Sequence, residues 1–363
     1  MRKKLKKIIF ILLIAIILIT VIVISFKMIQ LNKLKKMSSD DMIQYVTHND
    51  EDIKISVAVI KDGQVSYQVY GKNAATSDNK KYDYEIGSIT KTFVTLLTSK
   101  AIEEGKLDID SFISKYLELD SDKYYPTIKR LVTHTSGYKS HYLNKQMIDN
   151  FIKAQDNDFY NISKDEVQSK IKDIVLKDKD YNFKYSNFGI SVLGLALEKV
   201  YDEDFVSLMD NFIVEELGLQ NTRVAISTGN LNGYWNWKNN DAYIPAGAII
   251  SNIEDMAKYL DFYLNAKEAY VANTYKSLKK INANNFVYEK MGIRMDEIGM
   301  GWIIDTQSNV VWHNGATSNF NSYIGFNKDE NIGVVILANL SPDRKIPMTV
   351  IGPQIMKELM SSD

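Results

Sequence analysis

Strand-like apolar runs stand at both ends of this 363-residue chain, and the long stretch between them has helical texture. Near the start, "IKISVAVI" and "QVSYQVYG" flank Lys61-Asp62-Gly63, and Asp-Gly between β-rich runs is a strong hairpin signal. Near the end, "GMGWIID", "NVVWHNG", "NSYIGFN" and "IGVVILAN" are short apolar runs parted by turn residues. From roughly 107 to 240 the pattern is mostly helical, most clearly in "KDEVQSKIKDIVLK" and "NFGISVLGLALEKVY". A sheet completed by the two ends, with a helical lobe inserted, is the expected outcome. That is an α+β domain of two lobes with a cleft between them.

Local signals refine this frame. Ser38 or Ser39 is placed to cap a small helix running through His48. After Gly87, the residues Ile89, Phe93, Leu97 and Ala101 recur every four positions, and Gly105 closes the run as a C-cap would. Ser88 is thereby expected at a strand-to-helix junction. "IPMTVIGPQIMKELM" reads as a closing helix that Pro353 should interrupt or kink.

One segment does not belong to a globular body. From Ile8 to Phe26 no residue is charged, close to the ~20 residues that cross a bilayer as a helix. Arg2, Lys3, Lys4, Lys6 and Lys7 precede it, and "SFKMIQLNKL" offers no small-x-small cleavage site after it. The expectation is a basic cytoplasmic flank at 1–7, an uncleaved transmembrane helix at 8–26 and a juxtamembrane linker at 27–37. The body from 38 to 363 would then lie outside the cytoplasm, because the first flank is the more basic. Nine of the 44 Lys and Arg residues fall in the first 36 positions and no acidic residue does, leaving 35 bases against 45 acids. A body near −10 argues against nucleic acid as a partner. With no cysteine, disulfides and thiol chemistry are excluded.

The chemistry starts from "EIGSITKTFV", residues 85–94. Ser-x-x-Lys at Ser88/Lys91 also occurs at Ser77/Lys80, Ser136/Lys139, Ser169/Lys172 and Ser277/Lys280, so setting must decide. Ser77/Lys80 lies in a polar loop, and the matches at 169 and 277 read as lysine-rich helical stretches with solvated faces. Only Ser88 meets the start of an apolar helix, whose free N–H groups favour developing negative charge. Lys91 falls on the same face, where desolvation would lower its pKa and enable a proton relay. Free serine is too weak a nucleophile without such a neighbour. In "FKYSNFGISVLG", Tyr185 and Asn187 stand two apart before a helix, and "VVWHNGATSNFNSYIGF" carries His313-Asn314-Gly315-Ala316 on a β-run. A strand glycine often marks close approach of a ligand or another backbone. His48, His134 and His141 are read as structural.

These motifs, in this order, resemble the serine β-lactamase and penicillin-recognising family, in its class C-like branch. That branch holds class C β-lactamases, D,D-peptidases, D-aminopeptidases and related esterases. The likeness runs from about Asp40 to Leu340 and includes "IGSITKTFV", "EEGKLDIDSFISKYL", "IKRLVTHTSGY", "YSNFGISVLG", "EELGLQNTR", "PAGAIISNIEDMAKYL" and "HNGATSNFNSYIGF". It implies a two-lobe fold with an antiparallel sheet flanked by helices. It implies that Ser88 attacks a carbonyl, that Lys91 shuttles the proton, and that Tyr185 is base and then acid. Asn187, His313 and Gly315 would meet the substrate, and the N–H groups of Ser88 and Ala316 would form the oxyanion hole. Thr135, Ser136 and Gly137 look like scaffold. Acyl transfer would need no metal and no cofactor.

A phenol with a pKa near 10 serves as base only if positive charge holds it down, and Lys91 is placed to do so. Two departures from the family's pattern bear on substrate. His313-Asn314-Gly315 stands where true β-lactamases carry Lys-Thr-Gly on the edge strand, which removes a fixed positive charge. The stretch "LKDKDYNFKY" before Tyr185 lacks the Pro-Gly common in relatives. The implied partner is a peptidoglycan-type peptide or D-alanyl ester, with the membrane reached through the N-terminal helix. A class C-like β-lactamase, a penicillin-binding sensor that acylates without turnover, and an inactive interaction domain are the alternatives. A lipase elbow is excluded, since no Gly-x-Ser-x-Gly occurs.

Overall fold

The computed structural model describes residues 28, 31–48, 50–72, 82–120 and 122–361. The expected transmembrane helix at 8–26 and the Ser77/Lys80 pair lie outside these residues. Among the described residues no helix is long and apolar enough to cross a membrane.

Eleven strands are described: β1 (Ile55–Lys61), β2 (Gln64–Tyr70), β3 (Tyr84–Glu85), β4 (Arg223–Val224), β5 (Ile249–Ser251), β6 (Lys279–Lys280), β7 (Glu297–Ile298), β8 (Ile303–Asp305), β9 (Val310–Ala316), β10 (Asn321–Asn327) and β11 (Ile332–Ala338). The helices are α1 (Ser39–Thr47), α2 (Thr90–Glu103), α3 (Ile128–Val132), α4 (Lys145–Ile152), α5 (Lys164–Asp173) and α6 (Asn187–Tyr201). After them come α7 (Phe205–Asn211), α8 (Ile244–Gly247), α9 (Ile253–Asn265), α10 (Ala269–Tyr275), α11 (Phe286–Met291) and α12 (Met348–Met360).

Eight strands form one sheet in the order β2-β1-β11-β10-β9-β8-β7-β6, and every pair in it is antiparallel. The two ends of the chain do complete it: Ile55 of β1 sits opposite Ala338 of β11. The Asp-Gly turn joins β1 to β2 with Asp62 at φ 53° and Gly63 at φ 75°, the left-handed pair a tight hairpin demands. β11, "IGVVILA", is buried throughout because helices cover both faces of the sheet. On one face α9 lies against β11 and β1, while α12 lies across β10 and β11 on the other, with α1 beside it. One core joins Ala58 and Leu337 of the sheet to Leu131, Phe188 and Ile190 of the helical segment, so the lobes share their interior. A second core, behind the sheet, gathers Met42, Ile43, Trp312, Tyr323, Ile351 and Met356.

Three expectations are corrected. Pro353 lies inside α12 without ending it. Its missing N–H leaves one carbonyl of the preceding turn without its helical donor, and packing of Ile351, Ile355 and Met356 holds the helix together. Ser277 and Lys280 belong to a strand region ending in β6, not to a helix. β9 is not the sheet's edge strand, for β8 pairs with it; but that pairing covers only Val310–Trp312. From His313 to Ala316, β9 is paired on the β10 side alone. A half-strand edge is thus left open, and it faces the start of α2.

Candidate active site

Ser88 stands in a single 3₁₀ turn, Gly87–Ile89, that leads from β3 into α2. Gly87 is at φ 51°, and a Cβ there would fall 2.5 Å from the Ala316 nitrogen. No other residue type permits that approach. From the opposite side, a Cβ on Gly315 would fall 1.9 Å from the Ile86 carbonyl oxygen. These two glycines clamp the Ser88 turn against the open half of β9. The close approach marked by Gly315 is therefore of backbone to backbone, with the Ser322 hydroxyl bonded to that same Ile86 carbonyl at 2.8 Å. Ser88 N–H and Ala316 N–H are carried by the two segments so clamped.

Lys91, one turn into α2, is fully buried. Its Nζ lies 2.9 Å from Ser88 Oγ and donates to the Ala246 carbonyl of α8 at 2.5 Å. Burial holds its pKa well below the ordinary lysine value. A neutral amine suits both contacts, since one N–H donates to Ala246 and the lone pair remains for the Ser88 proton. The Tyr185 ring lies 4.8 Å from this nitrogen, and its hydroxyl is bonded to Ser88. Burial raises the Tyr185 phenol above 10, and the Ser88 bond offsets only part of the rise. The expectation that Lys91 holds this phenol down is thus overturned: the lysine loses its own proton more readily than the phenol does.

His313 is 3% exposed, and burial, aided by Lys91, lowers its pKa to about 3. Its Nδ1–H donates to the Asn314 carbonyl at 2.6 Å, which leaves Nε2 as an acceptor. Asn187, the first residue of α6, keeps its Oδ1 buried without a partner, and only a long 3.5 Å contact joins its Nδ2 to Ser140 Oγ. An unmet amide of this kind fits the backbone of a bound substrate.

Two further residues stand at the site, His134, read above as structural, and Glu85, not remarked in the sequence. His134, at φ 53°, accepts from the Ser186 N–H through Nδ1, and its ring lies 4.7 Å from that of Tyr185. Its Nε2 is buried without a partner. The "THTSGY" segment among the family landmarks was the signal available. Glu85, three residues before Ser88, accepts from Thr317 Oγ1 and from Trp235 N, each at 2.6 Å. It ties the end of β9 to the 229–245 loop.

Burial raises the Glu85 carboxyl to about 7, with the Thr317 and Trp235 bonds opposing. A raised acid stabilises the fold below its unfolded value and loses that contribution as pH climbs through about 7. The shift from 4.5 to about 7 corresponds to about 3 kcal/mol. Glu85→Gln, a mimic of the protonated acid, is expected to unfold in urea with a stability that falls less between pH 5 and 8 than the wild type's. Parallel pH profiles for the two proteins would show that Glu85 is ionised throughout.

The other serine–lysine pairs described lack this setting. Ser136 accepts from the Tyr138 N–H, and Lys139 is exposed. Ser169 and Lys172 lie on α5 toward solvent. Among the described residues no cluster of His, Cys, Asp and Glu could hold a metal ion.

A serine in a turn clamped against β9, with a buried amine on its hydroxyl, is the arrangement of a serine hydrolase. The chain belongs to the beta-lactamase family, which it matches over residues 44–348. It is 24% identical over 346 residues to Protein flp of Staphylococcus aureus, covering 85% of this chain and 65% of that protein. The chain thus spans a little under two thirds of that relative. It is 26% identical over 259 residues to a beta-lactamase of Providencia stuartii, covering 67% of this chain and 63% of the relative. The fold resembles that of a beta-lactamase/D-alanine carboxypeptidase from Yersinia pestis, with a TM-score of 0.69 at 17% identity over 91% of this chain and 99% of the other.

Proposed function

We propose that this protein is a membrane-anchored hydrolase, facing outside the cytoplasm, that cleaves D-alanyl ester or peptide bonds through an acyl-enzyme on Ser88. The observation that carries the chemistry is the buried Lys91 nitrogen 2.9 Å from Ser88 Oγ. Neutral Lys91 takes the serine proton as Oγ bonds to the substrate carbonyl carbon. The developing oxyanion is held by the Ser88 and Ala316 N–H groups. Tyr185, protonated and within reach of Ser88, passes a proton to the leaving group and is reprotonated from Lys91. Water then attacks the acyl-enzyme by the reverse relay. Asn187 and the open half of β9 hold the acyl half in extended form.

The choice of substrate rests on charge. His313 stays neutral, and Lys91 and His134 are both lowered by burial, so none of these groups offers a permanent cation to a substrate carboxylate. The likeness to the beta-lactamase/D-alanine carboxypeptidase of Yersinia pestis supports D-alanyl substrates as the class. The full chain, incubated with D-alanyl esters, D-alanyl peptides and a chromogenic cephalosporin, should turn over the neutral or amine-bearing D-alanyl substrates fastest. Intact mass should show a transient adduct on Ser88. Cephalosporin hydrolysis faster than every D-alanyl substrate would instead assign a β-lactamase. A stable penicilloyl adduct without turnover would assign a sensor.

Anchoring is supported by the uncharged run from Ile8 to Phe26 and its basic flank. Protease added to intact cells is expected to digest the body; protection until the membrane is opened would refute the location.

A further inference from the structure

α4 carries apolar side chains on a face left exposed among the described residues. Leu143 before it is 73% exposed, Phe151 is 81% and Ile148 is 45%. Contiguous exposed apolar surface of this kind marks a binding site more often than an accident. Here the surface is concave. Leu143, Met147, Ile148, Phe151 and Phe159, with His141 and Asp158 also in the lining, border an open cavity of about 250 Å³.

The cavity is built rather than incidental. Asn150 of α4 is buried, and its Nδ2 donates to the Asp158 carbonyl at 3.0 Å and the Tyr160 carbonyl at 2.8 Å. These bonds fix the helix to the loop that carries Phe159. Both ends of the cavity are tied to the catalytic residues. On one side, Ser140 adjoins His141 and contacts Asn187. On the other, Ser318, two residues beyond Ala316, donates to the Asp156 carbonyl at 2.7 Å. Ser318 also accepts from Trp235 Nε1 at 3.0 Å, and the Trp235 ring lies 6.2 Å from Phe159. A substrate laid along the open half of β9, past Thr317 and Ser318, is led to this wall.

We propose that the cavity takes an apolar group on the acyl half of the substrate, beyond the D-alanyl unit. The substrate class is then an N-acylated or peptidyl D-alanyl ester whose N-terminal extension is aliphatic or aromatic rather than charged. This rests on the acyl-enzyme reading above. The bond broken is still the D-alanyl ester bond. The acyl half passes to Ser88 Oγ, the alcohol or thiol leaves with a proton from Tyr185, and water releases the acid.

The test uses the full chain in nanodiscs with N-acetyl-, N-butanoyl- and N-octanoyl-D-alanyl thioesters, the released thiol being read with a colorimetric thiol reagent. The chain has no cysteine of its own to react. A fully buried methylene is worth about fourfold in binding. An open cavity that buries about half of the added chain, roughly three of the six methylenes, should raise kcat/KM about 60-fold from acetyl to octanoyl, through KM. Leu143→Ser with Phe151→Ser, both at exposed positions, should flatten the series to under about 3-fold while leaving the N-acetyl rate unchanged. A wild-type series already flat, or one equally steep in the double variant, overturns the inference while the hydrolase reading stands. No hydrolysis of any thioester and no Ser88 adduct would sink both readings.

Discussion

Ser88→Ala is expected to abolish covalent labelling by an active-site serine probe and to lower turnover by about 10⁴–10⁶, the usual scale for loss of a nucleophile. The fold should survive. Only one hydroxyl is lost, and Lys91 retains its bond to the Ala246 carbonyl, so the cost is about 1 kcal/mol. Intact-mass measurement after incubation with the probe gives the readout. Undiminished labelling, or a label mapped by peptide sequencing to Ser136 or Ser169, would show that another serine does the chemistry.

Lys91→Met separates catalysis from stability more sharply. Methionine fills nearly the same volume but has no nitrogen, so the proton of Ser88 loses its acceptor. Acylation should fall by about 10³–10⁴, toward the upper range for a positioned base. Stability should move the other way or not at all. Burial makes the folded state bind the Lys91 proton less well than the unfolded chain does, so this lysine opposes folding at neutral pH. A thermal melt of the variant at pH 7 is expected at or above the wild-type midpoint. A variant that acylates normally would transfer the role of base to Tyr185 alone. One that melts well below the wild type would mean that Lys91 is held charged by a partner.

Much of this was legible in the sequence, for identifiable reasons. Asp62-Gly63 fixed the first hairpin because only a left-handed pair closes so short a turn. The four-residue recurrence from Ile89 to Ala101 marked α2, and the apolar character of the whole helix pointed to a buried Lys91. What was hidden lay in contacts between distant segments. The burial around Tyr185 and Lys91 comes from α8, from β9 and from His134, and no local pattern foretells which of two neighbours loses its proton first. Glu85 looked like an ordinary acid before a helix, because its partners Thr317 and Trp235 stand far along the chain. Pro353 was expected to interrupt or kink α12 on local grounds, and packing behind the sheet keeps the helix uninterrupted. The half-covered β9 followed from the shortness of β8, which strand-like texture does not measure.

The pairing of β1 with β11 has a consequence for the order in which the protein comes into being. The proposed nucleophile Ser88 is synthesised early, but Ala316, its proposed oxyanion partner, is made late. The strand bearing Ala316 is fastened only through β10 and β11 to the first strand of the body. Closing a loop of such length is entropically slow, and the pairing is a late step in folding. Until the last strand of the sheet has left the ribosome and found Ile55, Ser88 is an ordinary alcohol on a loose turn. A chain whose last strand is still unpaired is therefore expected to be chemically silent. Recovery of Ser88 reactivity during refolding then becomes a clock for this final closure, readable without any optical probe of structure.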